Sequence, residues 1–233
     1  MSHGASRQGA LEAAGVPAAV LAAGYVGFGA VAAGHGLSVP LAVISTLSIW
    51  ALPAQLILVE MYVLDAPLLA TALTVTLSSA RFMPMTMMLM PLMRDERHRG
   101  WHYYVAAQLL ALTGWTMAVA RFPRIPQENR LSWFYGFTLV CIAASAVATG
   151  AGYIVADRLT PLARTGLVFM APMYYLLILL GGVRDRAAVL GLACGAIAGP
   201  LVYLATPAWS VLLGGFAGGT LAYLIQRRFR RDG

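Results

Sequence analysis

Apolar blocks, each close to the length of a bilayer crossing, follow one another along almost the whole chain, with only short polar turns between them. A helix needs about 20 apolar residues to cross the hydrocarbon core. The blocks fall at 10–33, 38–64, 67–93, 102–121, 133–159, 166–182, 187–204 and 208–226. Strands of a membrane barrel would alternate apolar and polar residues over short segments, and no such alternation runs through these blocks. Backbone groups in lipid must be satisfied within their own segment, so helices are the spanning element. The expected fold is an all-α polytopic membrane protein of about eight transmembrane helices (about six to eight), some broken or re-entrant. They form a single transmembrane domain over residues 1–233. Only 11% of residues are charged and 60% are hydrophobic, against roughly 25% charged in soluble domains. A soluble enzyme and a disordered chain are both excluded.

The net charge is +7, and every one of the 16 Lys+Arg positions is arginine. These arginines lie mostly between the apolar blocks, so they read as markers of membrane orientation and not as a nucleic-acid face. Eight simple crossings with the N-terminus inside put Arg7, Arg121, Arg124, Arg130, Arg184, Arg186, Arg227, Arg228, Arg230 and Arg231 in the cytoplasm. Arg94, Arg97, Arg99, Arg158 and Arg164 then fall outside. If the turn from Arg94 to Arg99 is cytoplasmic instead, one block before it and one after it must be re-entrant or broken. Trp101, Trp133 and Trp209 open their blocks, where an indole can lie among the headgroups. Residues Met1 to Ala10 hold no apolar core before a cleavage site, so no removable signal is expected, and the first span opens at Leu11.

Two blocks carry internal breaks. In 38–64 the stretch Trp50-Ala51-Leu52-Pro53-Ala54-Gln55 lies near the middle. The Pro53 ring removes a donor and clashes with the carbonyl four residues earlier. In 67–93 the stretch Ser78-Ser79-Ala80-Arg81 is central, with Pro84 and Pro91 behind it. Interrupted helices at mid-membrane free backbone groups that bind polar solutes, which points to a transport site. Arg81 is the sharpest candidate, because a central arginine costs at least about 2.5–3.5 kcal/mol and needs a partner or a water-filled cavity. Its guanidinium suits a carboxylate, with a structural ion pair to Glu60 or Asp65 as the alternative. Glu60 is the one acid clearly inside a block, a coupling group or a charge partner for Arg81. Gln55, Ser78 and Ser79 offer neutral polar groups to a substrate or to their own helices. Trp50, Met83 and Met87 can shape an apolar pocket.

Other patterns carry less. Met83, Met85, Met87, Met88, Met90 and Met93 gather in one block without Cys or His, which fits adaptable packing better than a copper path. His98 and His102 lie in an arginine-rich turn and read as a surface pair. Cys141 and Cys194 have no ligand spacing. No metal and no cofactor are implied. Gly191, Gly195 and Gly199, with Gly214, Gly215, Gly218 and Gly219, form small-residue stripes that bring helices close, within the chain or against a partner. The chain has no GxSxG, HExxH or P-loop pattern, so it is not read as an enzyme.

The first ninety or so residues resemble the AzlC-type family, the large permease subunit of branched-chain amino acid exporters. The resemblance rests on Pro17, Gly36-Leu37-Ser38, Ala51-Leu52-Pro53-Ala54-Gln55 and Ser79-Ala80-Arg81-Phe82. It is strongest over residues 10–93. The glutamine and the arginine match the family motif directly. Leu52 stands where that motif has glycine, Ala54 where it has serine, Ser79 where it has Asn or Asp, and Phe82 where it has histidine. Thr113-Gly114-Trp115 occupies the place of a Thr-Asp-Glu stretch, without its acids. The resemblance implies a transporter whose second and third helices are interrupted, and a small AzlD-type membrane subunit as partner.

The expected function is export of branched-chain or similar small amphipathic amino acids by a multi-pass protein of the cell inner membrane. Arg81 would attract the substrate carboxylate, with Gln55, Ser78, Ser79, Trp50 and Met83 around it. The lipid bilayer, the substrate, an AzlD-type subunit and a second copy of the chain are the expected partners; nucleic acid is not. A non-transporting scaffold or assembly subunit is the alternative.

Overall fold

The computed structural model describes residues 3–80, 82–163, 165–169, 173, 176, 186–205 and 210–231. Among these the chain is helical, with no strand. Two compact units divide it, residues 1–175 and 176–233.

In the first unit α1 (His3–Ala13) and α2 (Val16–Gly34) follow one another, and both pack on the long α9 (Gln127–Ile154). The contacts are made through glycine. A side chain on Gly136 would strike the backbone of Ser6, and one on Gly152 the backbone of Val26. Gly9 and Gly29 answer from the other side, against Trp133 and Thr149. Such notches bring helix backbones together where lipid supplies no hydrophobic drive between helices. Because Ser6 meets Gly136 and Val26 meets Gly152, α1 and α2 together run in the same direction as α9.

Between them lie three pairs of short helices: α3 (Val39–Ser48) with α4 (Leu52–Val63), α5 (Leu68–Ser79) with α6 (Phe82–Met93), and α7 (Gly100–Gln108) with α8 (Leu112–Arg121). Proline sets two of the breaks. Pro53 lies in the first turn of α4, where its missing N–H costs nothing, while its ring denies helix to the carbonyl of Ile49 four residues back. Pro84 stands in the same relation to Ala80. The break therefore precedes each proline and falls at the stretches expected to be interrupted, 50–55 and 78–81. The break at Leu109–Ala111 has no proline and no glycine.

Side-chain ties orient these pairs. Arg97 forms an ion pair with Glu128 at 2.9 Å, Gln127 Nε2 donates to the Arg94 carbonyl at 2.8 Å, and Arg130 Nη1 donates to the Leu92 carbonyl at 3.0 Å. Tyr135 donates to the His102 carbonyl at 2.6 Å. Both ends of the α7–α8 pair thus lie beside the N-terminus of α9, so the pair dips inward and returns. At the other end, Thr46 pairs with Thr149 at 2.9 Å and the Trp50 indole donates to Ser145 at 3.2 Å, so α3 runs antiparallel to α9. The axes of α5 and α6 meet at 52°, which carries this pair across the unit toward Leu92. It follows that α4 returns to the end where α3 began. Two re-entrant pairs enter from opposite ends, and the bent α5–α6 runs between those ends.

This corrects the eight-crossing expectation. Two described helices, Val16–Gly34 and Gln127–Ile154, are long and apolar enough to cross a membrane, or up to three if α5–α6 counts as one bent span. Hydropathy registers length and composition but not direction, so a dip-and-return pair looks like a crossing. Arg94, Arg97 and Arg99 share one end with Arg121, Arg124 and Arg130, which fits the alternative of broken or re-entrant blocks on either side of that turn rather than eight simple crossings. The first span opens at Val16, not Leu11. Trp133 is fully buried, stacked on Phe137 at 5.2 Å and edge-on to Phe122 at 6.0 Å, so it anchors the turn before α9 instead of facing headgroups. Trp209 and Arg164 lie outside the described residues, as does most of block 166–182.

The second unit is a helix pair, α10 (Arg186–Ala205) and α11 (Ser210–Arg231). A Cβ on Gly218 would come within 2.9 Å of Gly195 Cα, and one on Gly214 within 3.0 Å of Gly199 Cα. The small-residue stripe is thus used inside the chain. Gly191, Gly215 and Gly219 meet nothing within 4 Å.

Candidate functional site

The tips of the two re-entrant pairs meet near mid-height of α9. Gly114 of α8 packs on Thr138 and Phe134, and Trp50 reaches Ser145. Gln108, the last residue of α7, donates its side-chain amide to the carbonyl of Ser48, the last residue of α3. Trp50 itself adopts φ +41°, a left-handed conformation that costs a non-glycine residue about 1–2 kcal/mol. Its burial, at 3% exposure, and its indole hydrogen bond hold it there.

Beside these tips lies a cavity of about 330 Å³. The first tip contributes Trp50, Ala51, Leu52, Pro53 and Leu56, and the second Ala111 and Leu112. Phe82 comes from the break in the bent span, Leu21 and Tyr25 from α2, and Thr165, Val168 and Phe169 from 165–169. Gly27 allows that last segment to lie against α2, since a Cβ there would come within 2.8 Å of Val168. Beyond the hydroxyls of Tyr25 and Thr165 and the Trp50 indole N–H, which is bonded to Ser145, the walls are apolar apart from two features. These are the N-termini of α4 and α8, which begin at the cavity with Ala51 and Ala111 as N-caps and no side-chain cap. A helix N-terminus carries roughly half a positive charge, worth most where water is excluded. Two of them beside an apolar chamber suit a small anion with an apolar body.

The expected site residues are distributed unevenly. Trp50 lines the cavity. Gln55 is fully buried behind it and donates to Ser45 at 3.1 Å and Thr46 at 3.0 Å, while its Oε1 has no partner. Ser78 and Ser79 are half-buried at the end of α5 and are not among the lining residues. Met83 and Met87 are each 67% exposed and turn away from the cavity. Glu60 lies exposed in the last turn of α4, far from the tip. Arg81 lies outside the described residues; in the chain it immediately precedes Phe82. Leu21, Tyr25, Leu56, Phe82 and the whole second tip escaped the sequence reading. An Ala-Leu pair at each tip, 51–52 and 111–112, is too short a repeat to have marked them. Two departures from the family motif, Leu52 and Phe82, are both cavity walls.

A wider polar cleft of about 1310 Å³ opens at the arginine end, lined by residues including Arg94, Asp95, Arg97, His98, Tyr103 and Glu128. His98 and His102 meet edge to face at 5.6 Å. Burial lowers the His98 pKa, and Asp95 opposes that shift.

A family model described as AzlC protein matches residues 17–159, more than half of the chain and a stretch holding both re-entrant pairs and α9. No curated protein and no solved structure gives a significant match. With two or three helices fit to span a bilayer among the described residues, the chain is a membrane protein related to transport and belongs to the AzlC family.

Proposed function

We propose that the protein exports branched-chain or similar small amphipathic amino acids across the cell inner membrane, using the cavity at the re-entrant tips as its substrate site. The observation that carries this reading is the convergence of two uncapped helix N-termini on an otherwise apolar chamber of about 330 Å³. The N-termini attract a carboxylate, and Leu21, Leu56 and Phe82 surround a branched side chain. Arg81, next to Phe82 in sequence, adds a full positive charge to that attraction. The gathering of Arg94, Arg97, Arg99, Arg121, Arg124 and Arg130 at one end supports a cytoplasmic assignment for that end. Blocks 187–204 and 208–226 supply two further crossings as α10 and α11, and an AzlD-type small subunit or a second copy completes the assembly. Alternating access then consists of rocking one re-entrant pair and its neighbours against α2 and α9.

Efflux of labelled leucine from loaded vesicles tests the reading. Wild-type protein should release leucine, and Arg81→Ala should lose most of that release while melting as wild type does. Release unchanged in Arg81→Ala removes the arginine from the site. Absence of release by folded wild-type protein favours the non-transporting scaffold.

A further inference from the structure

We propose that a polar cavity between α1 and the N-terminus of α9 binds a phosphate group, either the headgroup phosphate of a phospholipid in the leaflet at the arginine end or a free phosphate ion. The proposal is independent of the transport reading, because this cavity lies at the end of α9 and the chamber near its middle.

The cavity holds about 250 Å³. Ala5 and Gln8 of α1 form one wall, and Asn129 in the first turn of α9 forms another. Arg121, at the end of α8, and Arg124, just after it, complete the site. Two neighbouring acids are already engaged. Glu12 accepts the Gln8 amide at 3.1 Å and pairs with Arg121 Nε at 3.0 Å. Glu128 pairs with Arg97 at 2.9 Å and belongs to the wider cleft. Glu12 thus fixes Arg121 through one nitrogen, and a guanidinium carries five N–H donors. Arg124 has no side-chain partner among the described residues. The two guanidiniums and Glu12 together leave one positive charge at the cavity, and forked guanidinium donors match the oxygens of a phosphate.

A further donor lies behind the wall. Trp133, one helical turn beyond Asn129, is fully buried, and its indole N–H has no partner. Its ring meets Phe122, the neighbour of Arg121, at 6.0 Å, and its carbonyl faces Gly9, the neighbour of Gln8. Helical side chains lie over the preceding turn, which here is that of Asn129. Buried donors are rarely left without an acceptor, and an anion held on that turn gives this one its acceptor, directly or through water.

Depth favours a lipid as the source. The apolar block of α9 opens at residue 133, so Asn129 lies about 5 Å outside it, at headgroup level. Leu11, three residues along α1 from Gln8, is 66% exposed and offers a surface to an acyl chain. Basic pockets between helices at that level take phospholipid headgroups.

Melting of the detergent-purified full chain tests this with three probes: phosphatidylglycerol, diacylglycerol with the same chains, and inorganic phosphate. Phosphatidylglycerol at about a hundredfold excess over its Kd should raise the melting temperature by roughly 5–10 °C. Diacylglycerol should leave it unchanged. Arg124→Gln, at an exposed position, should melt as wild type does without additive and lose the shift. Arg99→Gln, the same charge change at the same end but outside the cavity, should keep it. A shift with phosphatidylglycerol alone assigns the site to lipid. A shift with inorganic phosphate alone, lost in Arg124→Gln, assigns it to the free ion. Equal shifts with diacylglycerol and phosphatidylglycerol overturn the proposal. So does a full shift in Arg124→Gln, an equal loss in Arg99→Gln, or no shift with either phosphate probe.

Discussion

Gln55 has two amide hydrogens, and both are committed within its own re-entrant pair. They reach Ser45 and Thr46, whose hydroxyls donate onward to the Ala42 carbonyl at 2.8 and 3.1 Å. The residue therefore acts as a brace across the break between α3 and α4. Replacing it by leucine should lower stability by about 1 kcal/mol, seen as a melting temperature a few degrees lower in detergent. Affinity for leucine should stay as in wild type. The opposite pattern, unchanged melting with weakened affinity, would put Gln55 in contact with substrate. Sequence could mark Gln55 as important because an amide beside a proline in an apolar block needs a partner. It could not reveal which partner, since Ser45 and Thr46, ten and nine residues back, come within reach only because the chain turns back at the α3–α4 break.

The helix pairs divide by how their breaks are encoded. Pro53 and Pro84 each forbid helix at a carbonyl four residues back, so the α3–α4 and α5–α6 interruptions are legible to within a turn. Leu109-Leu110-Ala111 has ordinary helix-forming residues, and its break is held by long-range contacts: Gln108 on Ser48, and Gly114 against Thr138. The second half of the candidate site was hidden for that reason. Glycine contacts were legible in part. The stripe from Gly195 to Gly218 could be read by its spacing, whereas Gly136 and Gly152, sixteen residues apart on α9, each work singly against α1 and α2. Gly136→Val should destabilise the protein by about 1–3 kcal/mol, because its side chain must enter the Ser6 backbone. Gly150→Ala, which meets nothing within 4 Å, should melt as wild type does. Equal melting of the two variants would mean that α1 does not pack on α9 as described.

At the scale of the molecule, two re-entrant pairs entering from opposite ends explain how a chain with two or three full-length spans among its described residues can hold a chamber at mid-depth. The same arrangement places the arginines of two successive polar turns on one side. Single cysteines at positions 97 and 124, introduced after Cys141 and Cys194 are replaced by alanine, should be modified by an impermeant thiol reagent from the same side of sealed vesicles. A cysteine at position 65, in the turn between α4 and α5, should react from the other side. Labelling of 97 and 124 from opposite sides would restore a full crossing by block 102–121 and remove the second re-entrant tip.

The central claim is that substrate passes through the chamber where the tips meet, and filling that chamber tests it most directly. Ala111 is the N-cap of α8, lines the cavity and holds an extended conformation that phenylalanine also adopts. Leu69, 73% exposed on α5 and absent from the cavity wall, serves as the matched control. In vesicles loaded with labelled leucine, Ala111→Phe should abolish efflux while Leu69→Phe keeps the wild-type rate, with both proteins melting as wild type does. Undiminished efflux through folded Ala111→Phe would contradict the account.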